Sequence, residues 1–239
     1  MQPVQQQAGK QAPPEHLGRR ISIFLSHTID RFRIALWVIL IAAAVFLVGY
    51  FIYTEVAKKL AADSTVLAES AQAAYDKWQA ENDATKKAED QKDLQSQLDR
   101  LIGRYPRQYG GQRGLFLRAN VEYETKGWDA AAKDYQLLAR RFPNSYLAPI
   151  SEFNAAIALE EKGDVDGALA LYKSIPQSYK SSTMAPRALF DAGRLEEQKN
   201  AWDEAQKEYA AIDTDYPQSD WNQLAKDRLI QLKVLGKIK

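Results

Sequence analysis

The chain has 239 residues, 46% of them hydrophobic, and its 32 Lys and Arg against 31 Asp and Glu leave a formal net charge of +1. That length holds one or two domains, and the balanced charge offers no bulk basic field for nucleic acid. With no cysteine present, disulfide frameworks, zinc–thiolate sites and lipid-modified cysteines are excluded.

Residues 1–16 are rich in Gln, Pro and Ala, with Pro13 and Pro14 in tandem, and this composition predicts a disordered tail. Over 17–33, Ile21, Phe24, Leu25, Ile29 and Phe32 follow helical spacing opposite Arg20, Asp30 and Arg31. Such an amphipathic juxtamembrane segment either docks on the membrane surface or simply extends the helix that follows. Residues 34–53, IALWVILIAAAVFLVGYFIY, carry no charge over twenty positions. At about 1.5 Å of rise per residue they match the roughly 30 Å hydrocarbon layer and predict a transmembrane helix. Trp37, Tyr50 and Tyr53 suit its interfacial ends. The stretch is longer than a signal-peptide core and ends in Thr54, Glu55, Lys58 and Lys59 without an Ala-x-Ala site, so it is expected to remain as an anchor. Arg19, Arg20, Arg31 and Arg33 crowd its N-terminal flank, which predicts a cytoplasmic N-terminus and a C-terminal domain across the membrane.

From Thr54 to Arg100 there is neither proline nor glycine. Residues 54–111 are expected to form a helical stalk that merges into a degenerate first helix pair, with Leu94, Leu98 and Leu101 on one face. Heptads are not sustained, which disfavours a coiled-coil stalk.

Residues 112–220 repeat. Phe116, Phe153 and Phe190 are spaced by 37 residues, and so are Trp128, Val165 and Trp202; Ala131, Ala168 and Ala205; Tyr135, Tyr172 and Tyr209; and Leu138, Ile175 and Ile212. Each unit reads as helix, turn, helix. The turns at Lys126-Gly127, Lys162-Gly163-Asp164 and Lys199-Asn200 tolerate a left-handed C-cap. Phe142-Pro143-Asn144-Ser145 and Tyr216-Pro217-Gln218-Ser219 stop the second helix with proline and offer serine to cap the next. At the middle junction Lys180 stands where the others have proline. Residues 221–239 are expected to form a capping helix, Trp221 to Lys233, whose Leu224, Leu229 and Leu232 cover the exposed end of the core.

A small residue in the first helix, a glycine before an aromatic, Ala131 opening the second helix, Tyr135 four residues later and a terminal proline together resemble the tetratricopeptide repeat. The three residues beyond that family's usual period of about 34, and the aromatic-Pro-x-Ser junctions, are most similar to its envelope type. That type is found in the lipoprotein of the outer-membrane barrel machinery and in the Tol-Pal coordinator. A short tail, one span and external repeats resemble the ancillary repeat protein of the Sec translocon. The resemblance implies an all-α fold, a tetratricopeptide-repeat solenoid of antiparallel helix pairs after a single transmembrane helix. It also implies a bacterial inner-membrane location with the repeats in the periplasm, and maps groove positions for protein partners onto Arg113, Asn120, Tyr123, Ile157, Glu160, Arg187, Arg194 and Glu197. Tyr123 and Ile157 read equally well as packing residues, and the charged positions as solvation.

No catalytic set competes with this. His16 and His27 both precede the apolar stretch, so no Ser-His-Asp triad or histidine metal cluster forms in the repeats. Gly110-Gly111-Gln112-Arg113-Gly114 lacks the Lys-Ser of a phosphate loop and reads as a flexible inter-repeat turn. The pairs Glu160-Glu161 and Glu196-Glu197 point to different helix sides and read as solvated faces. The expected function is therefore a membrane-anchored adaptor without enzyme activity, cofactor or nucleic-acid partner. A structural subunit of a large envelope machine, such as a flagellar motor or secretion apparatus, is the alternative.

Overall fold

The computed structural model describes the backbone from Glu15 and the side chains from Phe32, both through Lys239. The tail expected over 1–16 lies, except for its last two residues, outside the described residues, as do the amphipathic side chains up to residue 31. The described residues form nine α-helices and no strand, gathered in two compact units, residues 1–58 and 59–239. The first helix, α1 (Glu15–Ala80), contributes to both. Its apolar part has a mean hydropathy of 2.7 over the best window, and every side chain from Phe32 to Tyr53 is exposed. This is a helix long and apolar enough to cross a membrane, and it is not the buried helix of a globular core.

The second unit begins with the C-terminal turns of α1 paired to α2 (Ala84–Arg104). Asp83 starts α2 by accepting hydrogen bonds from the Thr85 and Lys86 amides. Ala68, Ala71, Tyr75 and Trp78 from α1 pack on Leu94, Leu98 and Leu101 from α2. Three helix pairs follow: α3 (Tyr109–Glu124) with α4 (Trp128–Arg141), α5 (Leu147–Lys162) with α6 (Val165–Ser178), and α7 (Met184–Gln198) with α8 (Trp202–Asp215). A last helix, α9 (Asp220–Val234), closes the array.

The 37-residue periodicity is a record of one packed core repeated. Ala131, Ala168 and Ala205 are fully buried, as are Leu138, Ile175 and Ile212, each large side chain contributing roughly 1.5–3 kcal/mol. The first helix sets a phenylalanine against the tyrosine of the second: Phe116–Tyr135 at 5.8 Å, Phe153–Tyr172 at 5.2 Å and Phe190–Tyr209 at 5.2 Å between centroids. Between the two helices the chain reverses through one left-handed residue, Lys126 (φ 63), Gly163 (φ 89) and Asn200 (φ 60), again at the repeat interval. Glycine is therefore used in the second turn, while in the first it is Lys126 and not Gly127 that adopts the left-handed conformation. The following amides of Gly127, Asp164 and Ala201 reach back to the Glu122, Leu159 and Glu196 carbonyls, closing the same C-terminal motif three times. Lys126→Gly is expected to relieve about 1 kcal/mol of left-handed strain and to raise the thermal midpoint by a few degrees, measured by circular dichroism.

All four second helices end on an aromatic C-cap in nearly one conformation: Tyr105, Phe142, Tyr179 and Tyr216, with φ between −124 and −135 and ψ between 50 and 59. Lys180 does not disturb this, because the turn is held by the Ser182 amide on the Tyr179 carbonyl, as by Ser145 on Phe142 and Ser219 on Tyr216. The hydroxyls of Ser145, Ser182 and Ser219 then accept from the amides of Leu147, Met184 and Trp221.

Two expectations are corrected. The glycine-rich segment is not a flexible turn: α3 begins at Tyr109, within the stretch read as stalk, and Gly110, Gly111 and Gly114 are buried in it. A Cβ on Gly110 would lie 2.5 Å from the Ser64 carbonyl oxygen of α1, and one on Gly111 2.1 Å from that of Tyr105. The glycines let three backbones meet. At the other end α9 continues the register as the first helix of a further repeat, with Ala225 and Leu232 buried at the positions of Ala188 and Leu195. Leu232 and the half-buried Leu229 pack on the last core cluster, but Leu224 is 48% exposed, because it falls at the position of Arg187, on the solvent side of the repeat.

Candidate functional site

The first helices of neighbouring repeats approach one another, α3 with α5, α5 with α7 and α7 with α9, whereas no pair of second helices brings Cα atoms within 8 Å. The repeat array therefore curves with its first helices on the inside. All eight groove positions lie on these helices: Arg113, Asn120 and Tyr123 on α3, Ile157 and Glu160 on α5, and Arg187, Arg194 and Glu197 on α7. Every one is half-buried.

They are tied together more closely than their spacing implies. Glu160 accepts from the Arg194 guanidinium at 2.8 Å across the repeat boundary and from the Tyr172 hydroxyl at 3.3 Å. One repeat on, Glu197 accepts from the Tyr209 hydroxyl at 2.7 Å and from Nε and Nη2 of Arg228 at 2.8 and 2.5 Å. In the first repeat the Tyr135 hydroxyl donates to Asn120 at 2.5 Å. The core tyrosine of each second helix thus sends its polar end through to the inner face. Glu160 and Glu197 are accordingly paired, half-buried groups where free solvated ones were expected, and Glu196 is buried beneath Lys173, 2.6 Å away; of the two carboxylate pairs only Glu161 is an exposed face residue.

The other positions serve packing. Tyr123 meets the Trp128 ring edge-on at 4.8 Å, Ile157 packs on the second repeat's core, and the Arg187 guanidinium lies 4.5 Å from the Phe153 ring and 5.7 Å from that of Trp221. Arg113 donates to Gln72 of α1 and lies 5.8 Å from the Phe116 ring.

On the inner face, the last repeat opens into a cleft. About 520 Å³ is enclosed by Phe190, Trp202 and Tyr209 as an aromatic wall and by Arg194, Glu197 and Arg228 as a charged rim. The structure thus gathers Arg194 and Glu197 at one cavity and leaves the other six positions along the inner face. Arg228 is absent from the sequence-derived set. Its signal is the register of α9, which places a helix on the inner face where a simple cap was expected.

Electrostatics fix this rim. Hydrogen bonding to Glu160, against partial burial, holds the Arg194 guanidinium above its ordinary range, and burial pushes the Asp191 carboxyl up despite Arg194 beside it. Burial opposes ionisation of Glu197 as well, but the Arg228 fork and the Tyr209 hydroxyl outweigh it and the carboxyl titrates below the usual range. A lowered folded-state value means that this contact stabilises the protein above the ordinary glutamate range and is lost as pH falls through the folded value. Glu197→Gln is expected to flatten the acid limb of the stability profile below about pH 4.5, read from thermal midpoints between pH 3 and 7.

Among the described residues no group of three or more His, Asp or Glu is placed to hold a metal. Paired antiparallel helices stacked at a fixed interval, with an inner face lined by first helices, define a helical-repeat scaffold of the kind that holds other proteins. The tetratricopeptide repeat-like domain family matches residues 30–233, and the chain belongs to that family. The match takes in the apolar segment as well as the repeats. No curated protein matches the chain.

Proposed function

We propose that the protein is a membrane-anchored adaptor that uses the inner face of its repeats to hold protein partners, with the aromatic cleft of the last repeat as the principal contact. The cleft carries the reading: Phe190, Trp202 and Tyr209 form an apolar wall beside Arg194, Glu197 and Arg228, and aromatic and arginine side chains dominate binding energy at protein interfaces. The chain then divides into tail 1–16, juxtamembrane segment 17–33, transmembrane helix 34–53, a stalk and first helix pair that end with α2, repeats that begin with α3, and the closing helix α9. The exposed apolar part of α1 supports the anchor, and the arginine-rich N-terminal flank supports a cytoplasmic N-terminus. The repeats then work in the bacterial periplasm, in keeping with the envelope type of repeat that the aromatic-Pro-x-Ser junctions resemble.

Photo-crosslinkers placed at Tyr123 and Arg194 test the groove. A common set of crosslinked partners, lost on Trp202→Ala, is the expected result, and partners that persist after substitution of Tyr123, Arg194 and Trp202 would show that the inner face is not the binding surface. Because the chain has no native cysteine, Lys10→Cys and Gln206→Cys report topology with an impermeant maleimide. In intact inner-membrane-sealed cells the second is expected to label and the first to stay protected; the reverse pattern would overturn the orientation.

A further inference from the structure

The turns that lead from one repeat to the next lie on one edge of the array, and the segments that form the first two junctions are rich in arginine and carry no acid of their own, with Glu152 beside Arg140 at the second. Residues 100–121 and 135–151 contain no Asp or Glu. Within them Arg100 and Arg104 lie in the last turns of α2 and Arg107 follows it, while Arg140 and Arg141 end α4; all five are exposed. Elsewhere in the array the cations are mostly matched: Lys162 with Asp129, Lys173 with Glu196, Lys180 with Asp215, Arg194 with Glu160 and Lys199 with Asp166. None of the five edge arginines has a carboxylate partner among the described residues. Arg100 reaches only Ser96 and Arg140 only Gln136, and Arg104 lies 5.6 Å from the Tyr105 ring.

The two groups belong to one surface, because Ile102 of the first junction packs in the same apolar cluster as Leu138 and Phe142 of the second. Beside Arg100 and Arg104 lies a cleft of about 580 Å³, floored by Leu67 of α1 and Leu101 of α2. Leu60 and Val66 of α1 are exposed nearby in the chain, and the carboxylates there are Asp63 and Glu69. Guanidinium groups at the rim of an apolar cleft suit an amphiphile with a phosphate head, since arginine pairs with phosphate through two parallel hydrogen bonds. A short tether favours that ligand. Tyr53 ends the apolar stretch, and Ser64, buried against Gly110 of α3, follows eleven residues later, so at most roughly 40 Å of chain separates them.

We propose that this arginine edge, Arg100, Arg104, Arg107, Arg140 and Arg141, docks on the anionic phospholipid headgroups of the membrane that holds the anchor. The inference rests on the anchor reading above. Docking would set which way the inner groove is presented.

The full chain, reconstituted in neutral phosphatidylcholine vesicles or in vesicles with added phosphatidylglycerol, tests this. A donor dye on Asn144→Cys, at the second junction, reports energy transfer to headgroup-labelled lipid, and one on Glu161→Cys, at the opposite edge, serves as control. Transfer from position 144 is expected to rise with anionic lipid, to collapse at 1 M salt, where the screening length is about 3 Å, and to be lost in the Arg100→Gln, Arg104→Gln, Arg107→Gln variant. The docked-to-undocked ratio is expected to fall roughly a hundredfold in that variant. Transfer independent of lipid composition, in a chain that resists alkaline carbonate extraction, would overturn the docking surface while leaving the anchor intact; extraction by carbonate would overturn the anchor reading itself. An unchanged response in the triple variant, with its helical content intact, would overturn the assignment to these arginines.

Discussion

Gly111→Ala is expected to lower the stability of the repeat unit by about 3 kcal/mol, the upper end of the cost of overpacking a filled core, and the thermal midpoint by roughly 6–12 °C. The added methyl would stand 2.1 Å from the Tyr105 carbonyl oxygen and 3.3 Å from the Pro106 Cα, both backbone atoms held by the C-cap. That carbonyl also accepts the Gln108 amide at 3.2 Å, so it cannot swing aside without opening the turn. The repeat register alone argues for the opposite result, because Ala148 and Ala185 occupy the corresponding positions and are fully buried. What differs is the first junction. There α3 starts from an extended N-cap, Gln108 (φ −93, ψ 170), whereas α5 and α7 start from helical ones, Tyr146 and Thr183. Gly103→Ala is the matched control: nothing lies within 4 Å of a Cβ there, and helix propensity predicts a gain of about 0.5–1 kcal/mol. Equal stability of Gly111→Ala and the parent in thermal melts would mean that the close approach of α3 to the Tyr105-Pro106 turn is not what holds the first junction.

The periodic residues were legible because they answer to one repeated geometry. Ala131, Tyr135 and Leu138 mark a buried helix face whatever lies around them, and the left-handed turns fall at Lys126, Gly163 and Asn200 for the same reason. Contacts made once in the molecule leave no such trace. Gly110 and Gly111 look like loop residues because glycine in sequence signals freedom or close approach equally, and only the position of Ser64, far away in the chain, decides between them. Glu196 reads as a surface residue until Lys173 of the preceding repeat is seen above it. The groove was legible to the extent that it is periodic: the first helices do line the inner face. Its cleft at Phe190 and Trp202 depends on Arg228 and on α9 taking the place of a further repeat, and neither follows from the spacing of three units.

The ion cluster at Arg118 gives the second large effect, and the repeat supplies its own control. Arg118 on α3 donates two hydrogen bonds to Asp134 on α4, at 2.5 and 3.0 Å, and a third to Asp99 on α2 at 2.7 Å. Asp134 is only 8% exposed, whereas the Asp99 side chain is 60% exposed. Arg118→Met is expected to cost about 2–3 kcal/mol, somewhat less than a fully buried pair because the arginine is partly solvated. Most of the loss comes from leaving the Asp134 carboxylate buried without a partner. Asp99 can return to water at little cost. The next repeat places Ala155 and Leu171 at the positions of Arg118 and Asp134, and both join the apolar packing there. The double variant Arg118→Ala, Asp134→Leu is therefore expected to recover to within about 1 kcal/mol of the parent, since an apolar pair of fitting shape commonly replaces a buried ion pair without loss. Urea melts of the parent, Arg118→Ala, Asp134→Leu and the double variant form a closed cycle, with Arg118→Met measured beside it. A double variant as unstable as Arg118→Met would show that the arginine holds α2, α3 and α4 through its shape and its reach to Asp99, not through the compensation of one buried charge.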